Sequence, residues 1–202
     1  MANGFLDASP SVRHGNSAGS ASNGYAAAQR FTVPGSSGTV EISEIGAWLS
    51  ADSAQTGIFH LAIFSDDSAN ANPDVIVSNS ESGELTVTGT SIQKISFTFP
   101  TKPVVNAGGV YWIAIQPGNA YVNYDLLATG GTQVYYNKGY ATWPTAANWD
   151  SASANAEDQG LYAVYVAAVT NTDRTPTIGS LSAAGVASRN DRGIFTPTEV
   201  DV

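Results

Sequence analysis

An all-β, antiparallel sandwich is the fold this sequence predicts, and three observations predict it. Apolar side chains recur with a two-residue period in short runs, the runs are bounded by Gly, Pro, Asn and Asp, and no segment sustains a 3.6-residue period. Charged residues are only 12% of the 202, a composition that favours short strands joined by turns over long salt-bridged helices.

Strands are expected near 26–33, 40–49, 57–65, 75–78, 84–87, 92–99, 110–116, 122–128, 132–136 and 161–168. Turn signals separate them, among them Pro34-Gly35-Ser36-Ser37-Gly38, Asn106-Ala107-Gly108-Gly109 and Thr129-Gly130-Gly131. Alternation then assigns faces. Ile45, Ala47 and Leu49 point inward and Trp48 lies opposite, where a partner or a second layer could cover it. In the following strand, Phe59, Leu61 and Ile63 make the better core face, and Ile58, His60, Ala62 and Phe64 make the other. Many short strands with no helices to cover a parallel sheet indicate antiparallel pairing, and eight to ten of them suggest a jelly-roll β-sandwich.

The sandwich block, 26–168, is flanked by an N-terminal arm, 1–25, and a C-terminal extended arm, 169–202, both rich in Gly, Ser, Ala, Thr and Asn. Neither arm has enough apolar side chains to form a core alone. Phe5 and Leu6 in the first arm, and the adjacent Ile194 and Phe195 in the second, read as side chains that drop into pockets on a neighbouring subunit. Each could contribute about 1.5–3 kcal/mol if well buried.

Net charge is −9, and it is unevenly placed: the block holds 12 acids and 4 bases, the arms together 5 and 4. No cluster of Lys and Arg exists to displace counterions from a phosphate backbone, so nucleic acid is not an expected partner. Cysteine is absent, which removes disulfides, thiolate metal sites and cysteine nucleophiles. Met1-Ala2-Asn3-Gly4-Phe5-Leu6-Asp7 lacks the basic and apolar regions of a secretion signal, and no apolar run approaches the ~20 residues that span a bilayer. No membrane partner is expected.

Catalytic chemistry has little to stand on. Only two histidines are present: His14 lies in the N-terminal arm, and His60 sits mid-strand among apolar neighbours, where a hydrogen-bonded structural or interface role is the expectation. No phosphate-cradling Gly-x-x-x-x-Gly-Lys-Ser/Thr appears, and no carboxylate pair stands out for glycoside cleavage. An enzyme, a metal and a cofactor are therefore not expected. The acidic stretch 65–74 carries several oxygen donors but lacks the Gly and final Glu of an EF-hand, so a solvated turn is the better reading than calcium. Tyr135, Tyr136, Tyr140, Trp143 and Trp149 gather in one region. Their roles divide between packing beneath a long loop, subunit contact, and glycan stacking by Tyr140, Trp143 and Trp149.

Several phrases carry a family resemblance: Ala28-Gln29-Arg30-Phe31-Thr32-Val33-Pro34, Ile42-Ser43-Glu44-Ile45-Gly46-Ala47-Trp48-Leu49, Gly57-Ile58-Phe59-His60-Leu61-Ala62-Ile63-Phe64-Ser65-Asp66 and Phe97-Thr98-Phe99. They continue in Ala107-Gly108-Gly109-Val110-Tyr111-Trp112-Ile113-Ala114-Ile115 and from Gly139-Tyr140 through Trp149 to Leu161-Tyr162-Ala163-Val164-Tyr165. Over about 26–168 the chain resembles a jelly-roll module found in bacterial extracellular proteins, including the choice-of-anchor R type, and in tailed-phage virion proteins.

The resemblance implies the fold more than any activity. Without a secretion signal or a recognisable cell-wall anchor, it leads to the expectation of a structural virion protein of a tailed bacteriophage, assembled in the host cytoplasm. A capsid decoration or cement protein is the specific expectation. Its partners would be the major capsid protein or other virion subunits, and copies of itself, a trimer being favoured, met through Trp48 or His60 faces. A tail, collar or head-fibre component is the nearest alternative, and a glycan-binding module of a cell-surface adhesin is the other class.

Overall fold

The computed structural model describes residues 3–5, 12–17, 25–52, 55–137, 140 and 142–167, all within the first of the chain's two units, Met1–Val169. Thirteen strands and one short helix follow in order. They are β1 (Asn3–Phe5), β2 (Val12–Ser17), β3 (Tyr25–Thr32), β4 (Thr39–Ala51), β5 (Thr56–Asp67), β6 (Asn72–Ile76) and β7 (Leu85–Thr88). Then come β8 (Gln93–Thr98), β9 (Val104–Asn106), β10 (Val110–Pro117), β11 (Val122–Asn137), α1 (Ala146–Asp150), β12 (Ser153–Gln159) and β13 (Leu161–Ala167). Every described strand pair is antiparallel, as the expected all-β sandwich requires.

The sheet curls into two layers. One runs β1, β13, β4, with β8 and β9 also on β4; the other runs β11, β3, β10, β5, with β6 and β7 also on β5. Between them lies the main core, in which Ile45, Ala47 and Leu49 of β4 meet Phe59, Leu61 and Ile63 of β5, as alternation predicts, together with Ile113, Ile115 and Leu161. Strand β4 holds one irregularity that alternation does not show: Val40 and Ile42 are buried at even positions, and Ile45 onward at odd ones. The register against β13 slips there, with Val164 opposite Glu44 and Tyr165 opposite Ile42. The extra residue is Ser43, whose hydroxyl donates to the Val164 carbonyl at 3.1 Å, so one bulge keeps both halves of a 13-residue strand facing the core.

Beyond β9 and α1, which fall where no strand or helix is expected, four elements differ from the sequence expectation. Segment 122–137 is one strand, because Gly130-Gly131 falls at a register irregularity and does not end it. The start of β11 pairs with β4 and its end with β3, so this strand carries the chain from one layer to the other. β12 pairs with β11 despite the polar sequence Ser-Ala-Asn-Ala-Glu-Asp-Gln. β1 and β2 lie in what composition alone makes a tail: β1 pairs with β13 and β2 with β11. Edge pairing uses backbone N–H and C=O groups and does not require apolar alternation, which is why composition missed these strands.

Candidate functional site

Two outward faces carry the chemistry. On the outer face of the β3–β10–β5 layer, register aligns side chains in rows: Trp112 between Arg30 and Phe64, Ala114 between Ala28 and Ala62, and Gln116 beside His60. Ala26, Ala28, Ala62 and Ala114 leave a shallow trough that the segment around α1 fills. Trp143 and Trp149 meet Phe64 edge-on, with ring centroids 5.5 and 5.9 Å away. The local sequence explains the placement. Pro144 precedes Thr145, which caps α1, and the Thr145 N–H donates to Asn148 Oδ1 at 3.0 Å; Asn148 in turn donates to Tyr136 Oη at 3.2 Å. A Thr-x-x-Asn start after proline is the signal by which this helix could have been found.

Of the three aromatics expected to offer a glycan platform, Trp149 is 0% exposed. A ring with no open face cannot stack on a sugar, and Trp149 is corrected to a core residue that closes the outer face. Tyr140 and Trp143 remain partly exposed.

His60 joins those two. Its ring centroid lies 4.2 Å from Tyr140 and 6.5 Å from Trp143, and Tyr140 Oη donates to Glu84 at 3.2 Å. Desolvation lowers the His60 pKa, while the charges of Glu84 and then Glu81 oppose it. The Tyr140 hydroxyl is pushed up beyond the usual tyrosine range by burial, then by the charge of Glu84 and the hydrogen bond to it.

Folded His60 therefore binds its proton less readily than the unfolded chain, whose ordinary value is 6.5. Its neutral form supports the fold above that value, and the contribution is lost as pH falls through the lowered pKa. Thermal stability of the wild type should weaken as pH falls below about 6.5 more than that of His60→Gln, because the variant has no imidazole to charge at position 60. Equal pH dependence in the two proteins would contradict the burial assigned to His60.

At the opposite end of the same face, Asp66 accepts from Arg30 Nε at 3.0 Å and Nη2 at 3.1 Å, and from Trp112 Nε1 at 2.7 Å. Its neighbour Asp67 accepts from the Ala69 N–H and the Asn70 amide, both at 2.9 Å, and so shapes the turn that follows β5. The acidic stretch 65–74 thus spends these two carboxylates on internal bonds. Sequence reasoning missed the Arg30–Asp66–Trp112 group, whose members are too far apart along the chain to signal one another.

The second outward face belongs to β13, β4 and β8. Glu44, Gly46 and Trp48 lie there opposite Thr98, Ser96 and Lys94, and Val164 and Tyr162 lie across β4 from Glu44 and Gly46. Lys94 Nζ sits 4.2 Å from the Tyr162 ring centroid and 5.9 Å from that of Trp48, and Tyr162 Oη donates to Glu44 at 3.0 Å. Gly46 makes this possible, since a Cβ there would fall 2.3 Å from Tyr162 Oη and 2.5 Å from the Ile95 carbonyl oxygen. Trp48 is partly exposed, and its Nε1 finds no acceptor among the described residues.

The remaining expected contact residues are placed only in part. Phe5 ends β1, and Leu6, Ile194 and Phe195 lie outside the described residues. Trp48 and His60 belong to different layers and are not brought together as one surface. Neither a known family model nor a curated protein matches the sequence.

Proposed function

We propose that this chain is a structural assembly subunit, specifically a capsid decoration or cement protein of a tailed phage, with jelly-roll topology in its sandwich. The observation that carries the reading is Trp48. A large aromatic on an outward sheet face, backed by Lys94 and Tyr162 and left without an acceptor for its indole N–H, has the make-up of an interface hot spot: rigid, amphipathic and partly desolvated before any partner arrives. The acidic balance of the block suits docking on a surface with basic character, and copies of the chain would meet as a trimer. The major capsid protein is the intended partner.

Mass spectrometry of purified particles should find the chain in fixed ratio to the shell protein. Intact particles that form from the encoding phage and contain none of it would contradict the reading.

A glycan-binding module is the second reading, favoured by Tyr140 and Trp143, which keep open surface beside Glu84. A glycan array separates the two readings.

A further inference from the structure

We propose that the outer edge of β13 is a strand-exchange site whose occupant, in the assembled protein, is β1 of a second copy of this chain. β13 reads Leu-Tyr-Ala-Val-Tyr-Val-Ala: it holds no charge, no proline and no glycine along its 7 residues. Strand edges that stay single in solution are normally guarded by Lys, Pro or a covering element, because their free N–H and C=O groups template pairing with another chain. On one side β13 is paired with β4 from Leu161 to Ala167, but on the other, among the described residues, the pairing strand is β1, over Ala163, Val164 and Tyr165. Val166, just past that cover, is 44% exposed.

The occupant follows from the register. Asn3, Gly4 and Phe5 already pair antiparallel with Tyr165, Val164 and Ala163, so the complementary strand is encoded in the chain and every copy carries both halves. The same backbone bonds form whether β1 comes from its own chain or from a neighbour, so the choice between them is set by concentration and not by new contacts. A short tether presents its strand at an effective concentration on the order of millimolar, and neighbours packed on a shell reach that range. Reach is set by the link between β1 and β2: residues 6–11 number six, and six extended residues span about 20 Å. Because the donor strand and the acceptor edge are different surfaces, exchange propagates from copy to copy until a ring closes, which fits a trimer.

The inference takes its choice of partner from the assembly reading, and its test uses the free chain so that the two can fail separately. The chain has no cysteine, so pairs can be introduced cleanly. Directly opposed antiparallel residues have Cα atoms about 4.5–5.5 Å apart, within disulfide range. A full-length Gly4→Cys chain and a full-length Val164→Cys chain are mixed at about 1 mM, near the effective concentration of the tether, and oxidised. The expected product is a covalent heterodimer joining the two variants, absent from either variant oxidised alone. A Gly4→Cys/Val164→Cys double variant that forms only an internal disulfide, with no heterodimer from the mixture, would overturn the exchange. Failure of both cross-links in chains that still unfold cooperatively would overturn it as well. Shell binding that survives either result leaves the assembly reading standing.

Discussion

Trp112→Ala is expected to lose about 3–5 kcal/mol of folding stability, the range for truncating a fully buried tryptophan. Trp112 is 0% exposed and lies at the centre of the outer-face cluster, between Arg30 and Phe64, with Ala26, Ala28, Ala62, Ala114, Val134 and Trp149 completing the cluster. Its removal opens a void where the neighbouring small residues have nothing to move inward, and it strips Asp66 of the indole N–H bonded at 2.7 Å. Trp112→Phe keeps an aromatic ring at the site and should lose less: the hydrogen bond to a charged acceptor, worth about 1.5–3 kcal/mol, and part of the ring's packing. Urea unfolding of the three proteins gives both differences. A Trp112→Ala loss under about 1 kcal/mol would mean that the outer cluster is not part of the cooperative fold.

Trp48→Ala should behave in the opposite way. Its ring is only partly exposed and its indole N–H makes no hydrogen bond among the described residues, so truncation costs the isolated fold less than Trp112→Ala does. At a partner surface the same truncation should cost about 2–4 kcal/mol, roughly 30- to 1,000-fold in affinity, because hot-spot aromatics contribute only where the partner completes their burial. The contrast between Trp112 and Trp48 separates two tryptophans that look alike in the sequence, each alternating with small or apolar residues on a strand.

That likeness shows where the sequence was legible and where it was not. The faces of β4 and β5 followed from two-residue alternation, because burial on one side of a pleated strand forces that period. Alternation could not show that the second face of β5 is also covered. The covering comes from Trp143 and Trp149, more than 75 residues later in the chain, and from alanines whose small size is informative only once they are seen side by side. The Ser43 bulge was hidden for a related reason: a single shift of phase within 13 residues resembles an ordinary imperfection in the pattern. β1 and β2 were invisible because their pairing is made by backbone. Trp48 was legible as an outward aromatic, whereas its cation partner Lys94 depends on the register of β4 against β8, which no local rule supplies.

The assembly reading makes Trp48 an interface residue, and rebinding to empty particles tests that most directly. Shells are purified from a phage lacking the gene for this chain, incubated with wild-type or Trp48→Ala protein, and sedimented. The expected result is saturable wild-type binding at a fixed ratio to the shell protein, with at least 30-fold weaker binding by Trp48→Ala and cooperative thermal unfolding of both free proteins. Wild-type protein that stays in the supernatant at every concentration, or a Trp48→Ala variant that binds as tightly as wild type, would contradict it.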